Sequence, residues 1–192
     1  MKNHFRNPRP ATGFTLIELM VVMVVVAALL VVVIPSMTTF KRDAELTSVT
    51  NNLMGAINTA RGEAMKRAMR AVVAPMQGND WTSGWVVFID QNRNNAYDSA
   101  TDTTVFQQGP LSSTVLSIAG STTAADPAGA YLMFDGSGYA RTRANNGFTA
   151  ATLTIRRTDS DSMRRIKISQ TGRVRSCKPA SATDPDCDDT ED

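Results

Sequence analysis

Hydrophobic residues fill the chain almost without interruption between Phe14 and Ile34. This segment holds 21 residues, and its single charged residue is Glu18. As an α-helix, a segment of this length spans about 31 Å, which is the thickness of the hydrocarbon core of a bilayer. The 13 residues before it contain no acid and three bases, Lys2, Arg6 and Arg9. Since positive flanks stay in the cytoplasm, the pattern predicts a membrane-spanning helix at 14–35 with its amino-terminal end in the cytoplasm.

Apolar residues continue at helical spacing after Pro35, a residue that would kink a continuing helix or briefly break it. They recur mostly at steps of three to five residues, while charged and amide side chains lie largely on other faces. The apolar series is Phe40, Ala44, Val49, Leu53, Ile57, Ala60, Ala64, Ala68 and Val72. This pattern predicts an amphipathic helix over 36–70. Its small, alanine-rich stripe allows a sheet to approach closely, so we interpret it as a core face.

After Pro75 the pattern changes to short β-rich runs separated by Gly, Asn, Asp, Ser and Pro. The predicted strands are Trp85–Ile89, Thr103–Gln107, Val115–Ile118, Tyr131–Phe134, Ala151–Arg157, Met163–Ser169 and Arg173–Ser176. Residues 135–138 are predicted to form a hairpin turn into Tyr139, and Gly120–Gly129 a flexible loop. The expected fold class is therefore α+β, with a long amino-terminal helix packed on antiparallel sheet. We place the globular domain at 36–178, with its β region at 71–178.

The residue types exclude several kinds of catalytic site. The single histidine, His4, precedes the apolar segment, so the rest of the chain has no residue for Ser/His/Asp or Cys/His catalysis and no histidine ligand for a metal. We therefore expect neither an enzyme nor a metal or cofactor site.

One stretch has the spacing of a calcium-binding loop. Its candidate ligands at positions 1, 3, 5 and 9 of the loop are Asp90, Asn92, Asn94 and Asp98. The sixth position is Asn95 instead of Gly, and the twelfth is Thr101 instead of Glu. We therefore predict a solvated turn here.

The residues at the start of the apolar segment read Gly13-Phe14-Thr15-Leu16-Ile17-Glu18. This motif resembles the prepilin peptidase site of type IV pilins and of type II secretion pseudopilins. The resemblance implies a leader peptide at 1–13, cleavage between Gly13 and Phe14 by prepilin peptidase, and N-methylation of Phe14. It also implies storage in the inner membrane, with the domain at 36–178 in the periplasm, before assembly with other pilins. The alternative is a plain single-pass anchor.

Glu18 favours the pilin interpretation over the plain anchor. An acid at this depth of a membrane costs a few kcal/mol, so it needs a partner or a position near the interface. After cleavage, Glu18 would lie one helical turn from the new amino terminus, where it could pair with the terminal amine of a neighbouring subunit. A plain anchor needs no such acid.

Three further segments resemble the FimT/GspH-type minor pilins. They are Asn58–Ala64 late in the helix, Trp81–Asp90 at the opening of the sheet region, and Gly172–Arg175 near the end. The resemblance implies the pilin-like fold, in which the first half of the helix lies in the membrane and in the filament core. The segment Thr101–Gly129 matches nothing, which leaves the strand order open there.

The two cysteines of the chain, Cys177 and Cys187, fall in the part that is expected to face the periplasm, where disulfides persist. We expect them to be bonded to each other. In the chain-entropy model, closing so short a loop contributes about 2 to 3 kcal/mol. The bond would tether the segment 179–192, which we call the acidic tail because it contains six acids and no base.

Basic residues are concentrated before this tail, with ten bases and three acids between Gly129 and Lys178. Arg173-Val174-Arg175 and Arg165-Ile166-Lys167 place two bases each on one face of a strand. Such a patch can bind phosphates, although arginines on strands more commonly solvate an outer face. The candidate contacts are Gly172, Arg173 and Arg175, supported by Arg164, Arg165, Lys167 and Lys178.

The sequence Gly172-Arg173-Val174-Arg175 also resembles the GRxR motif of DNA-binding FimT proteins. This resemblance implies capture of extracellular double-stranded DNA at the pilus during natural transformation, with little sequence preference. The alternatives are a GspH-like minor pseudopilin of a type II secretion system and a minor pilin that primes pilus assembly. In both of these, the same arginines contact neighbouring subunits. An acidic tail that folded over the patch would compete with DNA.

Overall fold

The computed structural model describes residues 13–112, 116–122, 131–144, 147, 150–181, 184 and 187, without the side chains of 31–36 and 121–122. The predicted leader at 1–13 lies outside these residues except for Gly13, as does most of the acidic tail. The chain forms two compact units, one ending at Arg42 and the other beginning at Asp43.

The first element, helix α1, extends from Leu16 to Arg67 and is not interrupted at Pro35. It begins with a capping box, in which the side chain of each of Thr15 and Glu18 accepts a hydrogen bond from the backbone N–H of the other. The Glu18 N–H donates to Thr15 Oγ1 at 3.3 Å, and the Thr15 N–H donates to Glu18 Oε2 at 3.5 Å. Glu18 therefore has a local role in starting the helix, which the sequence interpretation did not include.

In the first unit, the apolar side chains from Phe14 to Leu30 are exposed. No helix within the described residues combines the length and the apolar character needed to cross a membrane. The predicted membrane-spanning segment 14–35 includes positions whose side chains lie outside the description, and it stays a prediction.

In the second unit, α1 ends at Arg67, slightly before the predicted end near Arg70. The cause lies at Ala68, which has a left-handed backbone with φ +52°. Its neighbour Met69 donates its N–H to the Ala64 carbonyl at 3.2 Å, which closes the last turn. A Cβ at Gly136 would lie 2.8 Å from the Ala68 backbone, so the turn at 135–138 packs directly against the helix end.

Within the described residues, nine strands follow, and all their pairings are antiparallel. They are β1 Ala71–Gln77, β2 Asp80–Ile89, β3 Thr103–Gln108, β4 Leu116–Thr122, β5 Leu132–Phe134, β6 Ala140–Arg141, β7 Ala150–Arg157, β8 Met163–Ser169 and β9 Val174–Cys177. Sheet A has the order β3-β2-β1-β5-β6, and sheet B has the order β4-β7-β8-β9. The predicted α+β class is confirmed, and each predicted strand overlaps an observed strand, most of them with shifted bounds. The predicted loop at Gly120–Gly129 is wrong at its start, because β4 continues to Thr122, and the rest of that loop lies outside the described residues.

The sequence interpretation missed β1, which lies in the middle of sheet A. Pro75 suggested a boundary there, because proline cannot donate to a sheet ladder. In the structure, β5 pairs with β1 only over Ala71–Val73, so Pro75 lies beyond the part of the strand that is paired on both sides. The register of β1 against β2 also shifts between Pro75 and Gln77, which marks a bulge.

The main core lies between the apolar face of α1 and the inner faces of both sheets. Of the predicted helix stripe, the members from Val49 to Ala64 are buried, whereas Phe40, Ala44 and Ala68 are exposed. Val72 does not belong to the helix, because it lies in β1. The same core cluster contains the small residues Ala56, Ala60 and Ala64 and the large side chains of Trp81 and Trp85. A second apolar cluster, formed by Val72, Val86, Phe88, Tyr131 and Met133, lies on the other face of sheet A. Burying one such large side chain contributes about 1.5 to 3 kcal/mol.

One arginine, Arg157 at the end of β7, ties sheet B to the helix in this unit. Its guanidinium bonds both carboxylate oxygens of Asp159, at 2.8 and 2.9 Å, and Asp43 Oδ1 on α1 at 2.7 Å. Its side chain is 4% exposed. The hydrogen bonds that Arg157 donates to Asp159 and then to Asp43 raise its pKa, so this cation is a permanent part of the fold.

The predicted solvated turn at 90–101 is wrong in one respect, because the carboxylate of Asp90 is buried, as is that of Asp102 immediately after the turn. Asp90 is 1% exposed and accepts the N–H groups of Asn94 and Asn95 at 3.2 and 3.1 Å. Asp102 accepts those of Gln91 and Asp98 at 3.1 and 2.9 Å. Both buried carboxylates therefore stabilise the loop by accepting hydrogen bonds from its backbone N–H groups. Within the described part of the chain, no three Asp, Glu, His or Cys side chains are grouped to hold a metal ion.

Candidate nucleic-acid interface

The turn between β8 and β9, residues 169–173, carries the first arginine of the Gly-Arg-Val-Arg motif. We call it the terminal turn. The Ser169 N–H donates to the Arg173 carbonyl at 3.0 Å, and the Gly172 N–H donates to the Ser169 carbonyl at 2.9 Å. Gly172 has φ +77°, which glycine adopts without strain. The turn leaves the Arg173 side chain exposed.

A second turn, between β5 and β6, packs against the terminal turn. A Cβ at Gly172 would lie 2.1 Å from the Gly138 carbonyl oxygen, so the two backbones are in direct contact. The Ala140 N–H also donates to the Gln170 carbonyl at 3.1 Å and thereby links β6 to the terminal turn.

Arg61 on α1 joins both turns to the helix. Its Nε donates to the Gly138 carbonyl at 3.0 Å, and its Nη2 donates to the Thr171 carbonyl at 3.2 Å. A Cβ at Gly172 would also lie 2.8 Å from Arg61 Nε. The position of Arg173 is therefore set by contacts among three separate segments of the chain, and not by a free hairpin end.

The remaining predicted basic residues divide between the two faces of sheet B. The inner face of sheet B carries Ile155 on β7 and Ile166 and Ile168 on β8. Arg164 lies on this same inner face, and its Nη2 is 3.4 Å from Thr47 Oγ1 on α1. The opposite side, which we call the outer face, carries Thr152, Thr154, Arg165, Lys167 and Arg175. The register pairs Thr152 with Lys167 and Lys167 with Arg175. Arg165 and Lys167 therefore project together as predicted, and Arg164 does not join them.

Exposure differs strongly among these bases. Arg173 and Lys178 are exposed, whereas Arg175 and Arg165 are half-buried. Lys167 is only 6% exposed, and its Nζ has no hydrogen-bond partner among the described residues. In this structure, Lys167 does not present its charge to solvent.

The predicted disulfide between Cys177 and Cys187 is confirmed, with 6.0 Å between the two Cα atoms. Cys187 is 2% exposed, and its carbonyl accepts a hydrogen bond from Arg165 Nη1 at 3.1 Å. Because Cys177 lies opposite Arg165 in the register of β8 and β9, the bond brings Cys187 onto the outer face.

The β5–β6 turn has its own charged anchor, Asp135. Its Oδ1 accepts the N–H groups of Ser137 and Tyr139 at 2.8 and 3.1 Å, and its Oδ2 accepts from Arg141 Nε at 2.6 Å. Burial pushes the pKa of Asp135 upward, but the bonds from Arg141 and from the two N–H groups outweigh burial and leave this pKa below its usual value. The carboxylate therefore stays charged and holds the turn that supports Gly172.

Sequence reasoning did not assign roles to Arg61, Gly138 or Asp135. In the sequence, Arg61 lies within the motif segment Asn58–Ala64, and residues 135–138 are predicted only as a hairpin turn. The missing information was the contact between segments far apart in sequence, which no local pattern encodes.

Two family models match the chain. The model described as type II transport protein GspH matches residues 49–172, and the model of the prokaryotic N-terminal methylation motif matches residues 8–34. The first match ends immediately before Arg173. A search of curated proteins finds no match.

Solved structures of similar fold include two filament subunits. The type IV minor pilin FimU of Pseudomonas aeruginosa is 19% identical, with a TM-score of 0.54 over 74% of this chain and 98% of FimU. The minor pseudopilin EpsH of the type 2 secretion system of Vibrio cholerae is 17% identical, with a TM-score of 0.47 over 71% of this chain and 99% of EpsH. At these identities, the likeness to FimU shows a shared fold.

Proposed function

The chain belongs to the family of the type II transport protein GspH, and from this premise we propose that it is a minor type IV pilin that binds double-stranded DNA. Binding uses the terminal turn, has no sequence specificity, and serves uptake of extracellular DNA in natural transformation. The chain itself has no enzymatic role; filament retraction by other proteins moves the bound DNA.

The observation that carries this proposal is an exposed arginine on a turn with a fixed backbone. Arg173 is exposed and follows Gly172. Arg61 holds the backbone around Gly172 by donating to the Gly138 and Thr171 carbonyls. The fixed backbone limits where the Arg173 side chain can reach, and its planar guanidinium can form paired hydrogen bonds to a phosphate. Contacts of this kind read phosphate and not base, which agrees with binding that ignores sequence.

The structure refines the proposed contact set. Arg173 and Lys178 are exposed at the two ends of β9, and Arg175 lies between them. We assign direct phosphate contact to these three. Arg164 bonds to Thr47 on the helix side, while Lys167 and Arg165 lie on the outer face, where Arg165 bonds to the Cys187 carbonyl. We assign no direct phosphate contact to these three residues, whose charges only support binding electrostatically.

Processing and location follow from the amino-terminal motif as part of the same proposal. The match to the N-terminal methylation motif supports removal of residues 1–13 by prepilin peptidase and methylation of Phe14. The segment 14–35 then anchors the chain in the inner membrane, with the domain at 36–178 in the periplasm. Glu18 exchanges its bond to Thr15 for the amine of a neighbouring pilin on assembly.

A role in type II secretion is the second candidate, and the family match favours it. The GspH model ends at residue 172, so the family relationship says nothing about Arg173 or Arg175. In this alternative, and in a minor pilin that primes assembly, these arginines contact other subunits instead of DNA.

The test is DNA binding by the full-length chain in detergent micelles, titrated against salt, for the wild type and the Arg173→Gln, Arg175→Gln double variant. We expect micromolar binding by the wild type that weakens steeply with salt. Loss of two phosphate contacts should lower the log–log salt slope by about 1.8. The matched control is Arg93→Gln with Lys66→Gln, which removes the same charge from two exposed positions elsewhere.

The control variant should bind like the wild type. If it loses as much affinity as the double variant, binding reflects net charge and the assignment to the terminal turn is wrong. Absence of wild-type binding at low salt refutes the DNA proposal. Filament assembly or secretion that fails in the double variant would then support the second candidate.

A further inference from the structure

The outer face of sheet B is more deeply buried than its residue types predict. Lysine is almost never fully buried without a partner, because moving its charge out of water is costly. Yet Lys167 is 6% exposed, and Thr152, its cross-strand neighbour, is 8% exposed. A solvated outer face would leave both side chains accessible, so chain from outside the sheet must cover them.

Cys187 is a residue from outside the sheet that the structure puts in contact with this face. Its carbonyl accepts the hydrogen bond from Arg165 on β8, and its sulfur is bonded to Cys177 on β9. Pro179, early in the same segment, is also buried. The segment after β9 therefore leaves the sheet edge and returns onto it.

The charges of the two partners are complementary. The outer face presents Arg165, Lys167 and Arg175, and the acidic tail contains six acids: Asp184, Asp186, Asp188, Asp189, Glu191 and Asp192. The two cysteines are ten positions apart in the sequence. A tether this short keeps the tail acids near the face at an effective concentration in the millimolar range.

We propose that the outer face of sheet B is the docking surface for this chain's own acidic tail, which the disulfide holds in place. The docked tail covers Lys167 and competes there with other polyanions. Arg173 and Lys178 lie outside the covered area and stay available. The consequence for nucleic acid, which rests on the proposed function, is that DNA first meets the terminal turn and reaches the outer face only by displacing the tail.

Amine acylation of the full-length chain in detergent tests the docking without any DNA. With acetyl N-hydroxysuccinimide and mass spectrometry, Lys178 and Lys66 serve as exposed internal references, the latter with 71% of its side chain exposed. We expect wild-type Lys167 to react at least about tenfold more slowly than these references. Changing the six tail acids to amides, with both cysteines retained, should raise its rate about tenfold, because the ion pairs that favour docking are gone.

A second variant, Cys177→Ser with Cys187→Ser, removes the tether and keeps the acids, and it should raise the Lys167 rate as well. Circular dichroism confirms that each variant is folded. Rapid acylation of Lys167 in the wild type would overturn the proposal. Protection that persists in both folded variants would also overturn it, because another segment would then cover the lysine.

DNA binding by the amide variant separates this inference from the proposed function. If both hold, the variant binds duplex DNA more tightly than the wild type, and its log–log salt slope is larger by up to about 1.8, since Arg165 and Lys167 can then reach phosphates in addition to the wild-type contacts. If Lys167 becomes reactive but neither protein binds DNA, the tail docks as proposed and the DNA function is wrong. If DNA binds equally to both and Lys167 stays protected, only the docking inference is wrong.

Discussion

Arg157 and Arg173 lie 16 positions apart in one basic region of the sequence, but their surroundings are opposite. Arg157 is buried and all three of its donor nitrogens bond to Asp43 and Asp159. Arg173 is exposed, and its backbone, not its side chain, makes the bonds that hold the turn. The density of positive charge along a sequence therefore does not identify a binding surface. A structural arginine such as Arg157 bonds to carboxylates within the fold, whereas a binding arginine such as Arg173 leaves its guanidinium exposed to a ligand.

The largest expected effect comes from changing the turn that presents Arg173. Gly172→Ala puts a Cβ 2.1 Å from the Gly138 carbonyl oxygen and forces alanine into φ +77°. We expect a loss of about 3 kcal/mol in the free energy of unfolding, measured by denaturant titration. Gly62→Ala is the control, because nothing lies within 4 Å of its Cβ and it is helical; it should be neutral or slightly stabilising. Equal stability of the two variants would mean that the turns are not in contact.

The direct comparison of the two arginines gives the next effect. Arg157→Met removes the guanidinium that bonds Asp43 and Asp159 and should lower the free energy of unfolding by about 2 kcal/mol, less than for a fully buried pair since both acids are partly exposed. Arg173→Gln should leave the melting temperature unchanged and weaken only DNA binding. If Arg173→Gln destabilises the fold as much as Arg157→Met, the division into structural and binding arginines is wrong.

Arg61 belongs to neither class, because it holds the terminal turn in place but does not contact the DNA that the turn is proposed to bind. Arg61→Gln removes the bonds to the Gly138 and Thr171 carbonyls and should cost about 1.5 kcal/mol. DNA affinity should also fall while the salt slope keeps its wild-type value, because no phosphate contact is lost. A reduced slope in this variant would show that Arg61 itself contacts DNA.

The smallest effect concerns Asp135 and acid pH. Its folded-state pKa is lowered, so its contribution is complete above the usual carboxyl pKa, about 4, and is lost as the pH falls through the lower folded value. Asp135→Asn should therefore cost about 1 kcal/mol at pH 7. The difference from the wild type should shrink below about pH 4. A difference that is constant from pH 7 to pH 2 would exclude a role for the charge.

The fold was predictable where one pattern dominated. The helix stripe from Val49 to Ala64 reflects burial on one face and was confirmed, and the predicted strands β7 and β8 were found. Strand β1 was missed because a local proline signal outweighed the apolar run Ala71–Ala74. Sequence could not reveal that Pro75 lies where β1 lacks its second neighbour, since that depends on the length of β5.

The candidate site was predictable only in part, and for a different reason. Alternation along β8 correctly grouped Arg165 with Lys167, but it could not show that Lys167 is buried or that Arg164 turns toward Thr47. The pairing of Cys177 with Cys187 followed from their number and compartment. That the disulfide lies beside Arg165 could not be predicted, because this depends on the register of β8 against β9.

The junction at Arg61 also sets the order in which the domain can be completed. Its two bonds reach partners 77 and 110 residues further along the chain. Contacts at such sequence separations form late, since most of the intervening chain must be ordered before they are possible. During synthesis, α1 and the first strands emerge well before residue 171. The turn that carries Arg173 is therefore locked only when the domain is almost complete, and a prematurely terminated chain cannot display it.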